Sequence, residues 1–170
     1  MLSMQTTFAE IAAEFDDIRA EAGRLQEAIA HYLSERPEPN SLAAWMDLHV
    51  FASATEKVYT GCERVMARIA ALIDGAPLDR GEGWHLALLQ RMANPYADIR
   101  PAVISDPCLT ALNRLRAFRH RERNSYGLRL DLDIVLQRAQ EVAPAPSLFH
   151  DEVLAMVVAL NPTDKPIHPP

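Results

Sequence analysis

Residues 8–32 read FAEIAAEFDDIRAEAGRLQEAIAHY, and the spacing of their apolar side chains decides the fold class. Apolar residues recur every three or four positions, with charged residues between them; the series is Phe8, Ile11, Phe15, Ile18, Ala22, Leu25, Ile29 and Tyr32. This repeat predicts one long helix with a single apolar face, which fits the core of one chain or a contact between two chains. Pro37 and Pro39 follow, and proline cannot continue a helix.

A second long helix is predicted from Leu42 to Ile73, with Ser41 as its N-cap. The short connection to the first helix predicts that the two are antiparallel neighbours. Asp106 and Pro107 indicate another helix start, with aspartate as N-cap and proline at the first helical position. The remaining helices are predicted over residues 84–92, 106–127, 132–142 and 147–160. The pattern predicts an all-α up-and-down bundle of five to six helices over residues 1–160, with a flexible proline-rich tail at 161–170.

The composition narrows the class of protein and its compartment. The two cysteines, Cys62 and Cys108, provide no disulfide framework, so we expect a reducing, cytoplasmic environment. No apolar run approaches the roughly 18 residues that a membrane span needs, so no membrane partner is expected. The histidines do not form an HxxxH or HExxH pattern, and no glycine-rich phosphate loop is present. We therefore expect no metal and no cofactor.

Residues 114–129, RLRAFRHRERNSYGLR, concentrate positive charge on the fourth helix. Six arginines and one glutamate give a local charge of +5, whereas the whole chain carries −6. Leu112, Leu115 and Phe118 predict a core-facing side of this helix, with Arg119 at its margin. Candidate functional residues lie along one stripe and in the last turn beside it: Arg116, Arg119, His120, Arg123, Asn124 and Tyr126. Arginine forks of this kind bind phosphate oxygens in a bidentate manner.

The same charges also have a structural explanation. Cations near the C-terminal end of a helix complement its dipole by about 0.3–1 kcal/mol each, and the rest of the chain supplies many acidic partners. The charge pattern alone is therefore compatible with a nucleic-acid site and with a structural or solvated stripe that has no RNA role.

The order of residues from Arg119 to Gly127 resembles the Arg-x4-His-x-Tyr motif of HepT-like proteins, which are HEPN-type ribonuclease toxins. Three further segments resemble that family in an agreeing order, and the resemblance covers about residues 40–160. These segments are EKVYTGCERVMARIA (56–70), RPAVIS (100–105) and YGLRLD (126–131). From the first of them, Glu56, Glu63 and Arg64 are candidates to orient Arg119.

The resemblance implies a metal-independent endoribonuclease that acts on tRNA or mRNA as a symmetric homodimer. By position, Arg119 would stabilise charge on the scissile phosphate, and Arg116 and Arg123 would bind RNA. Tyr126 would be the site at which a nucleotidyltransferase antitoxin, the expected partner, attaches AMP. The cleft would be lined by these residues from both subunits.

One position departs from the family pattern, because Asn124 stands where the motif has its histidine. Asparagine cannot exchange a proton near neutral pH, and a general acid–base group contributes roughly 10²–10⁴-fold to a rate. Three explanations are compatible with this residue. His120 substitutes for the missing group, or the site is inactive and binds RNA or the antitoxin partner, or the asparagine was introduced to silence a toxin.

Overall fold

The architecture is a helical bundle built around one antiparallel pair. The computed structural model describes residues 4–124, 131–142 and 144–160, and the side chains of residues 4, 5 and 120–124 lie outside this description. These parts of the chain contain six α-helices and no strand: α1 (Met4–Glu35), α2 (Leu42–Arg68), α3 (Trp84–Ala93), α4 (Asp106–Asn124), α5 (Leu132–Glu141) and α6 (Pro144–Leu160). The predicted all-α fold class is confirmed.

The apolar seam of α1 is used inside the chain. Its central members are buried against the bundle: Ile11, Phe15, Ile18, Leu25 and Ile29. Gly61 on α2 permits a close approach of the two helices, because a Cβ at this position would lie 2.5 Å from Cγ1 of Ile18. Of the two uses that the seam allowed, the structure therefore favours the intramolecular core.

Helix α2 is the central element and contacts each of the other five helices. Ser41 caps it as predicted, since its hydroxyl accepts a hydrogen bond from the Ala44 amide at 3.2 Å. The helix continues into one π turn, Ile69–Ile73, after which the Asp74 amide donates to the Ile69 carbonyl at 3.0 Å. This wide turn brings the Asp74 carboxylate into the interior, where the side chain is fully buried.

The N-cap of α4 lies one residue earlier than predicted. Ser105, and not Asp106, is in the capping position, because its hydroxyl accepts from the Cys108 amide at 3.4 Å. Glu152 on α6 accepts a hydrogen bond from the Ser105 amide at 2.9 Å, which fixes this end of α4. Its predicted end at Gly127 lies outside the described residues.

The beginning of α6 was also predicted wrongly. The helix includes Pro144 and Pro146 in its first turn, where a missing amide hydrogen removes no helical hydrogen bond. The predicted start at Ser147 is therefore three residues late. The predicted flexible tail, residues 161–170, lies outside the described residues.

One stretch, Leu132–Leu160, is long and apolar enough to cross a membrane by length and composition alone, which the sequence pattern had not indicated. Core helices of soluble proteins meet the same criterion. Val135, Phe149 and Val153 from this stretch are buried in the helical core. Packing within the chain therefore accounts for part of the apolar composition of α5 and α6, while Ile134, Leu154 and Val158 remain exposed.

Candidate functional site

Helix α4 places one arginine at the margin of the core. Leu112, Leu115 and Phe118 are buried, as their spacing predicted. Arg119 follows Phe118 on the same side, and its side chain is only 13% exposed. Burial of these apolar neighbours fixes the helix rotation, so the guanidinium points towards α2 and α3 rather than into solvent.

In the described part of the chain, three side chains contact this guanidinium, and each of these contacts is long. Arg119 Nε lies 3.5 Å from Glu56 Oε1, and Nη1 lies 3.5 Å from Glu63 Oε2. Nη1 also donates to Nε2 of His85 at 3.4 Å. Charge-assisted hydrogen bonds are about 2.7–2.9 Å long, so all three contacts are loose. The buried Nε has no hydrogen-bond partner among the described residues. We call Arg119, Glu56, Glu63 and His85 the Arg119 cluster.

Glu63 joins α3 and α4 through its two carboxylate oxygens. One oxygen faces Arg119, and the other accepts a hydrogen bond from Nδ1 of His85. The Glu63 side chain is 5% exposed, whereas that of His85 is 30% exposed. The imidazole is therefore anchored from inside the protein and reaches solvent along its other edge.

Two further groups from α2 border the cluster, and both are held in their neutral forms. Burial and then the negative charge of Glu63 raise the pKa of the Tyr59 hydroxyl far above its ordinary value. The same two causes, in the same order, raise the pKa of the Cys62 thiol to about 12. The Tyr59 hydroxyl is buried beside the Glu63 carboxylate and makes no hydrogen bond of good geometry among the described residues. Neither side chain is activated as a nucleophile, and Cys62 is a core residue.

The charge at the centre of the site is not positive. Glu56 and Glu63 carry two negative charges around the single positive charge of Arg119. Arg116 lies one turn earlier on α4, donates from Nε to Asn113 Oδ1 at 2.8 Å, and is close enough to Tyr59 to affect its pKa. The positive charge predicted for residues 114–129 therefore depends on arginines outside the Arg119 cluster.

A shallow groove between α1 and α2 adjoins the cluster and has a volume of about 350 Å³. Glu56 belongs to both features. The groove is lined by Asp17, Ile18, Glu21, Glu56, Lys57, Thr60, Gly61 and Arg64. Its acidic side chains outnumber its basic ones, so this groove does not extend a surface for RNA phosphates.

The predicted orienting residues separate into two groups. Glu56 and Glu63 do contact Arg119, whereas Arg64 pairs with Glu14 on α1 at 2.5 Å. Arg64 therefore belongs to the α1–α2 contact and not to the cluster.

Several predicted site residues cannot be placed against this cluster. The side chains of His120, Arg123 and Asn124 lie outside the description, as does all of Tyr126. In the described ranges, no group of three or more His, Cys, Asp or Glu is arranged to hold a metal ion.

His85 is the cluster member that the sequence did not reveal. It lies on a separate short helix, and no periodicity connects position 85 with position 119. The positions of Glu63 and Arg119 in the sequence do not predict that a histidine lies between their side chains. Only the packing of α3 against α2 and α4 brings it there.

Comparison with known proteins identifies the family. A family model described as HepT-like protein matches residues 50–160, which is more than half of the chain. The matched region includes every member of the Arg119 cluster. No curated protein and no solved structure matches this chain. By the family model, the chain belongs to the HepT-like family of the HEPN superfamily.

Proposed function

We propose that this protein is an endoribonuclease toxin that cleaves tRNA or mRNA without a metal ion. The observation that carries the proposal is the state of Arg119, which is enclosed by the bundle yet loosely bound by its neighbours. A largely buried guanidinium whose Nε–H has no partner among the described residues is prepared to bind an anion, because an anion supplies hydrogen bonds that those residues do not.

The chemistry follows from the charge that develops during cleavage. When the ribose 2′-oxygen attacks phosphorus, negative charge accumulates on the non-bridging phosphate oxygens. A guanidinium fixed beside that position stabilises this charge more in the transition state than in the bound RNA. Glu56 and Glu63 hold the guanidinium in place, and their long contacts allow it to turn towards a phosphate.

We further propose a homodimer, and one surface feature supports it. The first half of α2 exposes a row of apolar side chains, among them Trp45 at 57% exposure; the row consists of Leu42, Trp45, Met46 and Val50. Patches of this kind on a soluble protein mark interaction surfaces. His49, Glu56 and Glu63 follow one another at seven-residue spacing, about two helical turns each, so the row continues towards the cluster.

We also propose a protein partner and a cellular compartment. A nucleotidyltransferase antitoxin would inactivate the toxin by attaching AMP to Tyr126, in a reducing cytoplasm. The family to which the chain belongs supports this pairing.

A second candidate is a catalytically inactive member that binds RNA or the antitoxin. Two observations favour it. Asn124 replaces the proton-transferring residue of the motif, and the centre of the Arg119 cluster carries more negative than positive charge.

The deciding experiment is cleavage of a labelled tRNA pool by purified protein in EDTA. Arg119→Ala should lower the rate by about 10²–10³-fold, the usual cost of losing one transition-state charge stabiliser. Arg114→Ala is the matched control, because Arg114 is exposed on the same helix. Sedimentation velocity on the same samples tests the dimer. Equal cleavage by wild type and Arg119→Ala would refute the proposed nuclease. Binding without cleavage by the wild type would favour the inactive candidate.

A further inference from the structure

Because Asn124 replaces the motif histidine, cleavage at this site requires another proton-transferring group near Arg119. Tyr59 and Cys62 are buried and strongly neutral, so they exchange no proton near neutral pH. His150 lies by Phe15, with ring centroids 4.9 Å apart, and His49 stacks on Trp45 at 4.4 Å. Among the described side chains, the imidazole in contact with Arg119 is that of His85.

The contacts of His85 determine which nitrogen is available. A carboxylate only accepts hydrogen bonds, so the contact with Glu63 places the imidazole proton on Nδ1. Nε2 then presents its lone pair, which accepts from Arg119 Nη1 at 3.4 Å. That contact is long, so a phosphate that draws the guanidinium away exposes the lone pair at little cost. A carboxylate that fixes the tautomer of a histidine is the usual arrangement of a general base.

We propose that His85 is the general base of this site and takes the role left vacant by Asn124. The proposal rests on the proposed RNA cleavage. Nε2 of His85 accepts the proton of the ribose 2′-hydroxyl while the 2′-oxygen forms a bond to phosphorus. The bond from phosphorus to the 5′-oxygen breaks, and that oxygen takes a proton from water. The products are a 2′,3′-cyclic phosphate and a 5′-hydroxyl, and His85 returns its proton to solvent.

The charged surroundings of His85 come from each helix packed on it. Glu63 faces Nδ1 from α2, and Arg119 faces Nε2 from α4 with Glu56 behind it. On its own helix the Trp84 ring lies 4.3 Å away, centroid to centroid. A base must be neutral to act, so cleavage should rise with pH over the range in which the imidazole loses its proton.

The test is the pH–rate profile of EDTA-resistant cleavage of the tRNA pool. His85→Asn retains an amide donor for Glu63 but removes Nε2. We expect cleavage to fall by about 10²–10⁴-fold and the acidic limb of the profile to disappear. RNA binding and thermal midpoint should stay at wild-type values. His31→Asn, an exposed histidine on α1 away from the cluster, is the control and should cleave as the wild type does.

A second variant guards against misfolding of the first. His85→Ala leaves room for free imidazole, which should restore part of the lost cleavage, whereas a purely structural histidine would not be replaced in this way. Wild-type rate and pH profile in His85→Asn would overturn the proposal. So would loss of rate with an unchanged acidic limb and no imidazole rescue.

Failure of the proposed function gives a different result. If the wild type is inactive and Asn124→His cleaves RNA, the role of His85 is overturned while the site remains a nuclease site. If neither protein cleaves and neither binds the tRNA pool, the proposed function itself fails, and the role of His85 with it.

Discussion

Among the described residues, the fully buried Arg100 and the largely buried Arg119 have opposite surroundings. The side chain of Arg100 has no exposed surface and forms a bidentate pair with Asp74, at 2.6 and 3.0 Å. Its remaining N–H groups donate to main-chain carbonyls at 3.0–3.2 Å, those of Arg91, Asn94 and Pro101. This clamp ties the end of α2 to the end of α3 and to the loop that leads into α4.

Arg119 has the same chemistry and a different environment. Its three contacts, to Glu56, Glu63 and His85, measure 3.4–3.5 Å, and its Nε lacks a hydrogen bond among the described residues. It also has two carboxylates where Arg100 has a single well-aligned one. Arg100 uses its donors in contacts that hold the fold together, whereas Arg119 keeps at least one donor, Nε–H, without a partner among the described residues.

The comparison separates a structural role from a functional one. A buried ion pair repays its desolvation only when geometry is good and the remaining hydrogen bonds are made. Arg100 meets that condition and Arg119 does not. An incompletely paired buried group calls for an explanation, and a ligand that completes it is one. If this distinction is correct, the two arginines must respond differently to mutation.

The largest effect on stability is expected from the clamp. Arg100→Ala removes the main partner of the fully buried Asp74 and takes one donor from each of three main-chain carbonyls. We expect the free energy of unfolding to fall by about 3–5 kcal/mol, as for other broken buried pairs. Urea denaturation followed by circular dichroism measures this change.

The control for this prediction is an exposed ion pair. Arg24 and Glu27 are more than two-thirds exposed, so Arg24→Ala should change the free energy of unfolding by about 0–1 kcal/mol. Similar losses of unfolding free energy in the two variants would mean that the contacts of Arg100 stabilise the fold no more than an exposed ion pair does.

Local patterns in the sequence determine a large part of this fold. The seam of α1 and the cap at Ser41 depend on residues close in sequence, so periodicity and capping preference predicted both. Arg119 could be placed at the core margin for the same reason, from its spacing to Leu112 and Leu115. The position of a residue on its own helix is a local property.

The missed features depend on contacts between helices. Neither the pairing of Asp74 with Arg100 nor the placement of His85 on Glu63 leaves a periodic signal, because the partners lie on separate elements. The cap of α4 was misplaced by one residue because Ser105 and Asp106 are both good capping residues. Contact with Glu152, which is distant in sequence, accompanies the choice of serine.

The dependence of stability on alkaline pH tests the buried surroundings of the Arg119 cluster. Cys62 and Tyr59 have raised pKa values in the folded chain, against ordinary values of 9.0 and 10.0. Below about pH 9 both groups are protonated in the folded and unfolded chains. Above it the unfolded chain binds fewer protons, so stability falls as pH rises, by up to about 1.4 kcal/mol per pH unit for each group. Urea midpoints between about pH 8 and about pH 11 measure the slope.

Tyr59→Phe assigns this slope to one residue. Because the hydroxyl makes no hydrogen bond of good geometry among the described residues, its removal should cost little at neutral pH. Above about pH 10 the variant should lose stability less steeply than the wild type. An identical slope would mean that Tyr59 is not held neutral beside Glu63.

The smallest effect on stability is expected at Arg119, where the effect on cleavage is expected to be large. Arg119→Met retains apolar volume and removes only loose contacts, while Glu63 keeps its hydrogen bond from His85 and Glu56 retains contact with solvent. We expect the free energy of unfolding to fall by about 1 kcal/mol or less. A loss of unfolding free energy near that of Arg100→Ala would mean that Arg119 mainly stabilises the fold. Its long contacts would then no longer indicate a ligand site. A small loss together with abolished cleavage would show that the chain encloses this guanidinium for a ligand.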